Sequence, residues 1–111
     1  MMTLTLPLRL VSGANVREHW SARSRRAKSH RQACLLVPPH TVPCVVTLTR
    51  LGPRALDSDN LAISAKHVRD GVADRLGVND NDPRVEWRYA QERSKNYGVR
   101  IEIQPASRDE A

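Results

Sequence analysis

The most regular pattern in this sequence is an apolar stripe within residues 61–76. Its members lie three or four positions apart, at Leu61, Ala65, Val68, Val72 and Leu76. Because three to four residues complete about one helical turn, this spacing predicts an amphipathic α-helix. Asp59 or Asn60 can cap the N-terminus of this helix, and Gly77 suits the position just beyond its end.

Four segments rich in alternating or β-branched apolar residues predict four strands. They cover residues 4–10, 44–51, 85–89 and 99–103. Pro7 lacks a backbone N–H, so it indicates an edge position for the first strand. The last two strands are close in sequence and predict a hairpin through the loop at residues 93–98.

A further helix is predicted from about Ser21 to Val37, where Pro38-Pro39 ends it. The resulting order β-α-β-α-β-β is typical of the α+β class: one small domain with two main helices and a mixed or mostly antiparallel sheet. A chain of 111 residues without Phe has a modest core, which a dimer would strengthen. The domain is expected to cover residues 1–104, followed by a frayed polar tail at residues 105–111.

The charge is distributed unevenly along the chain. Residues 1–56 carry nine Lys and Arg against one acidic residue, whereas residues 57–111 carry nine against eleven. The basic part of the first half is concentrated in the predicted first helix, at Arg23, Arg25, Arg26, Lys28 and Arg31. Such clustering favours contact with the phosphates of a nucleic acid, and a charged solvated helix is the alternative.

Membrane insertion and a structural zinc site are not indicated. No stretch approaches the length of a membrane span, and the beginning of the chain lacks a signal-peptide pattern. Cys34 and Cys44 have no ligand-like spacing with each other or with a His. Both lie in apolar surroundings and are interpreted as buried thiols of a cytoplasmic protein, with a disulfide as the alternative.

Asp57 and Asp59 immediately precede the amphipathic helix. Two carboxylates two positions apart in extended chain point to the same side, roughly 6.5 Å apart along the backbone, and can reach one cation. Asp59 alone is interpreted as a helix cap, whereas Asp57 needs another explanation. A calcium loop is excluded because Leu61 and Ala62 occupy ligand and glycine positions, so magnesium is the better match.

Two further residues extend this acidic motif, each with a structural alternative. Asp80 and Asp82 are typical of a turn, although Asp82 could swing back toward the first pair. Lys66 lies two helical turns after Asp59, on nearly the same face, where it could neutralise a phosphate. It could equally pair with Asp70 four positions later.

These motifs resemble the RusA family of Holliday-junction resolvases, particularly its phage and prophage members. The matching segments are Asp57-Ser58-Asp59-Asn60-Leu61, Lys66, Arg69-Asp70-Gly71-Val72, Leu76-Gly77-Val78 and Asp82-Pro83-Arg84-Val85. The region after the first strand of the family is resembled by the basic helix and, before it, by Asn15, Arg17, His19 and Trp20. The likeness covers nearly the whole chain, and the block from residue 57 to 85 is its specific part.

The resemblance implies a homodimeric endonuclease that uses Mg²⁺ to nick four-way DNA junctions in recombination and repair or in phage DNA processing. Asp57, Asp59 and Asp82 match its metal-binding and catalytic acids. The catalytic lysine of the family often falls where this chain has Ile63, and Lys66 is the candidate replacement. Under this interpretation the residues that contact DNA are Arg17, Arg23, Arg25, Arg26, Lys28, Arg31, Arg50 and Arg54.

Two other interpretations stay open. A non-catalytic binder of branched or duplex DNA would show salt-sensitive binding without metal-dependent nicking. A structural or regulatory phage protein, whose acids are only turn and cap residues, would show neither Mg²⁺ affinity nor preference for junctions. Neither an organic cofactor nor a membrane partner is expected.

Overall fold

The computed structural model describes residues 1–11 and 20–106 and contains one α+β domain, as predicted. Its strands are β1 (Met2–Leu6), β2 (Cys44–Gly52), β3 (Val85–Arg93) and β4 (Gly98–Pro105). Its helices are α1 (Trp20–Ala33), α2 (Ser58–Ser64) and α3 (Lys66–Leu76), and a single 3₁₀ turn (Cys34–Leu36) follows α1. The strand β4 extends to Pro105, one residue into the segment expected to be a tail; the remainder from residue 107 lies outside the described residues.

The sheet is mixed, with the strand order β1-β4-β2-β3. Strand β2 pairs with β3 in parallel and with β4 antiparallel, while β1 pairs antiparallel with β4 at the edge. The edge position indicated by Pro7 is therefore confirmed, although β1 ends at Leu6, before the proline.

The predicted hairpin between β3 and β4 is wrong. The chain leaving β3 crosses the end of β2, where the N–H of Ser94 donates to the carbonyl of Gly52 at 2.9 Å. It then enters β4 on the other side of β2. Side-chain alternation reports which face of a strand is buried, but it does not report which strand lies beside it.

The predicted helix over residues 61–76 is divided into α2 and α3. Ala65 lies between them with φ −94° and ψ 1°, and its N–H bonds to Ala62 in a tightened turn. The apolar stripe nevertheless faces the core as predicted, with Leu61, Ala65, Val68 and Val72 buried. Gly77 ends α3 in the left-handed conformation, φ 72°, also as predicted.

Helices α1 and α3 pack closely at Gly71. A Cβ placed on Gly71 would lie 2.7 Å from Cys34 Cβ and 2.8 Å from Cys34 Sγ, so only glycine fits there without displacement. Cys34 and Cys44 are both free and buried, which confirms their interpretation as thiols. Burial raises the pKa of Cys34 to about 11, which makes it an inert packing residue. None of the helices in the described part of the chain is both long and apolar enough to cross a bilayer.

Candidate nucleic-acid interface

Asp57 caps the N-terminus of α2. Its Oδ1 accepts the N–H of Asn60 at 3.0 Å, and its carbonyl accepts the N–H of Leu61 at 2.9 Å. The prediction that Asp59 or Asn60 would cap this helix is therefore wrong, since Asp59 lies exposed in the first turn. Because capping accounts for Asp57 on structural grounds, its presence alone no longer requires a metal.

The approach to this cap is fixed by the side chain of Gln91 on β3. The N–H of Leu56 donates to Gln91 Oε1 at 2.9 Å, and Gln91 Nε2 donates to the carbonyl of Leu56 at 2.5 Å. This pair of bonds ties the residue before Asp57 to the end of β3. The acidic motif therefore has a defined position near the carboxyl end of the parallel β2–β3 pair.

Asp82 lies at the opposite end of β3. Its carbonyl accepts the N–H of Val85, the first residue of the strand, at 3.1 Å. Val85 and Gln91 are six residues apart on that strand, a distance of roughly 20 Å at about 3.3 Å per residue. The structure thus leaves Asp82 apart from Asp57 and Asp59, which both lie at the start of α2.

The carboxylate of Asp82 is already bonded by Arg84. Its Oδ1 accepts the backbone N–H and Nε of Arg84 at 2.9 and 3.1 Å, and its Oδ2 accepts Nη2 at 2.8 Å. These bonds lower the pKa of Asp82 to about 2. The loop is held by Trp87 Nε1, which donates to the carbonyl of Asp80 at 2.8 Å, and the N–H of Asp82 closes a turn on Asn79. The turn interpretation of this segment is therefore confirmed.

The residues predicted to bind magnesium do not form a ready-made site within one chain. Across residues 1–11 and 20–106, no three His, Cys, Asp or Glu side chains lie close enough to hold one ion. Together with the distance along β3 and the Arg84 bonds, this arrangement does not fit a preformed magnesium centre of Asp57, Asp59 and Asp82.

The structure does gather several of the predicted basic residues. Arg23, Arg26 and Lys66 line one cleft of about 260 Å³ between α1 and the α2–α3 junction, which we name the α1–α3 cleft. Ile63, where the family lysine is expected, lines the same cleft. Lys66 therefore faces the region that the expected lysine would face. Its Nζ also lies 3.3 Å from Asp70 Oδ2, as the ion-pair alternative predicted.

Two histidines that the sequence did not single out complete the α1–α3 cleft. His30 is 5% exposed, and its Nδ1 has no hydrogen-bond partner among the described residues. Burial is the main cause that lowers the pKa of both His30 and His67, and neighbouring positive charges such as Arg26 lower both further. Burial disfavours charge of either sign, so only the contribution of the neighbouring cations indicates a cleft that favours an anion. The available signals were the position of His67 beside Lys66 and of His30 one turn after Arg26.

The other predicted DNA contacts have varied surroundings. Arg25 and Lys28 are exposed on α1, a helix that contains no acidic residue. Arg31 is bonded to Asp74 by Nε at 2.6 Å and Nη2 at 2.9 Å, so its charge is already paired. Arg54 is exposed and Arg50 is buried, whereas Arg17 lies outside the described residues.

Comparison with known proteins adds no family assignment. No protein-family model matches the chain, and no curated protein shows significant similarity to it. The functional interpretation therefore rests on the residues and geometry of this chain.

Proposed function

We propose that this protein binds the phosphate backbone of DNA, with four-way and other branched DNA as its substrate class. The observation that carries the proposal is the α1–α3 cleft, where Arg23, Arg26 and Lys66 converge from two separate segments of the chain. Lys66 also pairs with Asp70, but at 3.3 Å and with an exposed side chain it keeps donors for an anionic surface, as phosphate contacts require.

The surface beside the cleft supports the same conclusion. Arg25 and Lys28 project from α1 and extend the positive surface beyond the cleft. Contacts of this kind fix the position of a protein on DNA without reading its sequence. Recognition of a branched shape by such a surface depends on where phosphates lie in space, which is the information a junction binder needs.

The candidate activity is magnesium-dependent nicking of the junction by a homodimer. Its support is the Asp57-to-Leu61 motif and the position of Lys66 in the basic cleft near α2. Because one chain does not gather the three acids, we assign no catalytic step to a metal held by them. We further propose the cytoplasm as its compartment, which the free thiols of Cys34 and Cys44 support.

A synthetic four-way junction and a duplex of the same arm sequences test these proposals. We expect the junction to bind more tightly than the duplex and its affinity to fall steeply as salt is raised. Incubation with and without Mg²⁺ then reports nicking on a denaturing gel. Binding without nicking would retain the backbone proposal and refute the nuclease, whereas equal, weak binding to both DNAs would refute the backbone proposal.

Charge-removing variants locate the contact. The double variant Arg23→Gln/Lys66→Gln should reduce junction affinity and lower the slope of log K against log salt by about 2, roughly one for each lost phosphate contact. Arg88→Gln is the matched control, because Arg88 is an exposed arginine of β3 that does not line the α1–α3 cleft. An unchanged salt slope in the double variant would place the DNA elsewhere.

A further inference from the structure

Arg50 on β2 is a buried cation without a counter-charge. It is 6% exposed, and no carboxylate of the described residues lies within ion-pair distance of it. Its Nη1 donates to the carbonyl of Arg54 at 2.5 Å, while its Nε has no acceptor in the described part of the chain. Because an uncompensated buried charge is strongly unfavourable, an anion at this position would stabilise it.

The backbone around Arg50 is shaped to hold its guanidinium. A Cβ on Gly52 would lie 3.1 Å from both Nη1 and Nη2 of Arg50, so the guanidinium lies directly against the glycine. Gly52 pairs in register with Arg93 at the carboxyl ends of β2 and β3. The two hydrogen bonds between the side chain of Gln91 and the backbone of Leu56 hold the segment after Gly52 against β3. The position of the buried charge is therefore set by the ends of β2 and β3.

A cavity of about 240 Å³ opens at this place, which we name the Arg50 pocket. Among its lining residues are Arg50, Arg54 and Arg93, with Glu92 as the acidic member. Glu92 Oε2 accepts Arg100 Nη2 at 2.9 Å, so its negative charge is already paired outside the pocket. The three arginines consequently leave the pocket with a net positive charge.

We propose that the Arg50 pocket binds a phosphate monoester, carried either by a DNA end or by a free mononucleotide. A phosphodiester inside a stacked duplex cannot reach into a recess to a residue that is 6% exposed, whereas a terminal phosphate can enter the recess. A monoester also carries close to two negative charges at neutral pH, which suits three arginines. Pro53 and Ala55 supply apolar wall against which a sugar can pack. The DNA-end source rests on the proposed function, and the mononucleotide source does not.

Thermal unfolding with added phosphate compounds tests the pocket without DNA. Inorganic phosphate and a nucleoside 5′-monophosphate should each raise Tm in a concentration-dependent manner, and the corresponding nucleoside should not. Arg50→Met keeps an unbranched apolar stem but removes the buried charge, so it should fold and lose the Tm increase. Arg54→Gln/Arg93→Gln, both at exposed positions, should reduce the increase. Arg88 lies on β3, as Arg93 does, but does not line the pocket, so Arg88→Gln should retain the Tm increase.

The two sources are separated with short duplexes that carry either a 5′-phosphate or a 5′-hydroxyl. A fivefold or greater gain in affinity from the 5′-phosphate, lost in Arg50→Met, identifies a DNA end as the ligand. A Tm increase with the mononucleotide and no gain with the duplex identifies the free nucleotide. No increase with any phosphate compound, or an equal increase in Arg50→Met, would overturn the proposal. Junctions with 5′-hydroxyl ends test the backbone cleft separately, so failure of one proposal does not imply failure of the other.

Discussion

Substitutions at Asp57 separate its capping role from any role of its charge. Asn caps a helix about as well as Asp, because its side-chain oxygen accepts the same N–H, whereas Ala leaves the N–H of Asn60 without that acceptor. Loss of a cap costs about 1 kcal/mol. With an unfolding entropy of about 2.1 cal/mol/K per residue, a chain of 111 residues converts this loss into a decrease in Tm of about 4 °C.

We therefore expect Asp57→Ala to lower Tm by about 4 °C and Asp57→Asn by less than about 2 °C, the latter reflecting the lost charge at the helix N-terminus. Differential scanning calorimetry of both variants measures the difference. Asp59→Asn is the control, since this exposed carboxylate is not the N-cap. Equal destabilisation by Asn and Ala at position 57 would refute the capping argument.

The Asp57→Asn variant also tests the proposed nuclease activity. If Asp57 acts through its negative charge, Asp57→Asn abolishes nicking of the junction while the protein stays folded and binds DNA as well as before or more tightly. If Asp57 is only a cap, Asp57→Asn nicks normally. Full activity in Asp57→Asn would therefore exclude this residue from the proposed catalytic site.

Three other predictions concern packing and protonation. Gly71→Ala should lower the free energy of unfolding, because the contact at 2.7 Å with Cys34 Cβ costs about 2 kcal/mol whereas the helix-propensity gain is about 1 kcal/mol. Urea unfolding measures the difference. Burial lowers the pKa of His30 below 6.5, so as pH falls the unfolded chain binds a proton at this histidine before the folded chain does. The free energy of unfolding should therefore decrease as pH falls below about 6.5, and it should decrease less in His30→Asn. Arg84→Ala should raise the pKa of Asp82 from about 2 toward 3.8, as followed by a carboxyl NMR titration.

Strand and helix positions were largely predictable because burial imposes a period on the sequence. Val99, Ile101 and Ile103 alternate with polar residues, and all three are fully buried in β4. The neighbours of β4 were not predictable in this way, since a hairpin and a crossing over the end of β2 require the same alternation. The structure shows β2 buried along almost its whole length, as is typical of a central strand.

The residues of the candidate site were largely predictable from the sequence, but their arrangement in space was less so. The basic residues of α1 and Lys66 were each identified from sequence, but their convergence depends on how α1 packs against α3 at Gly71. The resemblance groups Asp82 with Asp57, and the sequence allows them to approach because it does not report the path of the loop before β3. The bonds from Trp87 and Arg84 fix that path. They join residues seven and two positions apart, but side-chain contacts within an irregular loop leave no periodic trace in a sequence.

The position of β4 has a consequence for how the chain acquires its structure. The last strand in sequence lies between β1 and β2, so the first strand has no partner until the last one is available. Closing this pairing joins Met2 to Ile103 across almost the entire described chain. Folding is consequently expected to be slow for a domain of this size, and a nascent chain lacking β4 would expose the edges of both β1 and β2 to other molecules.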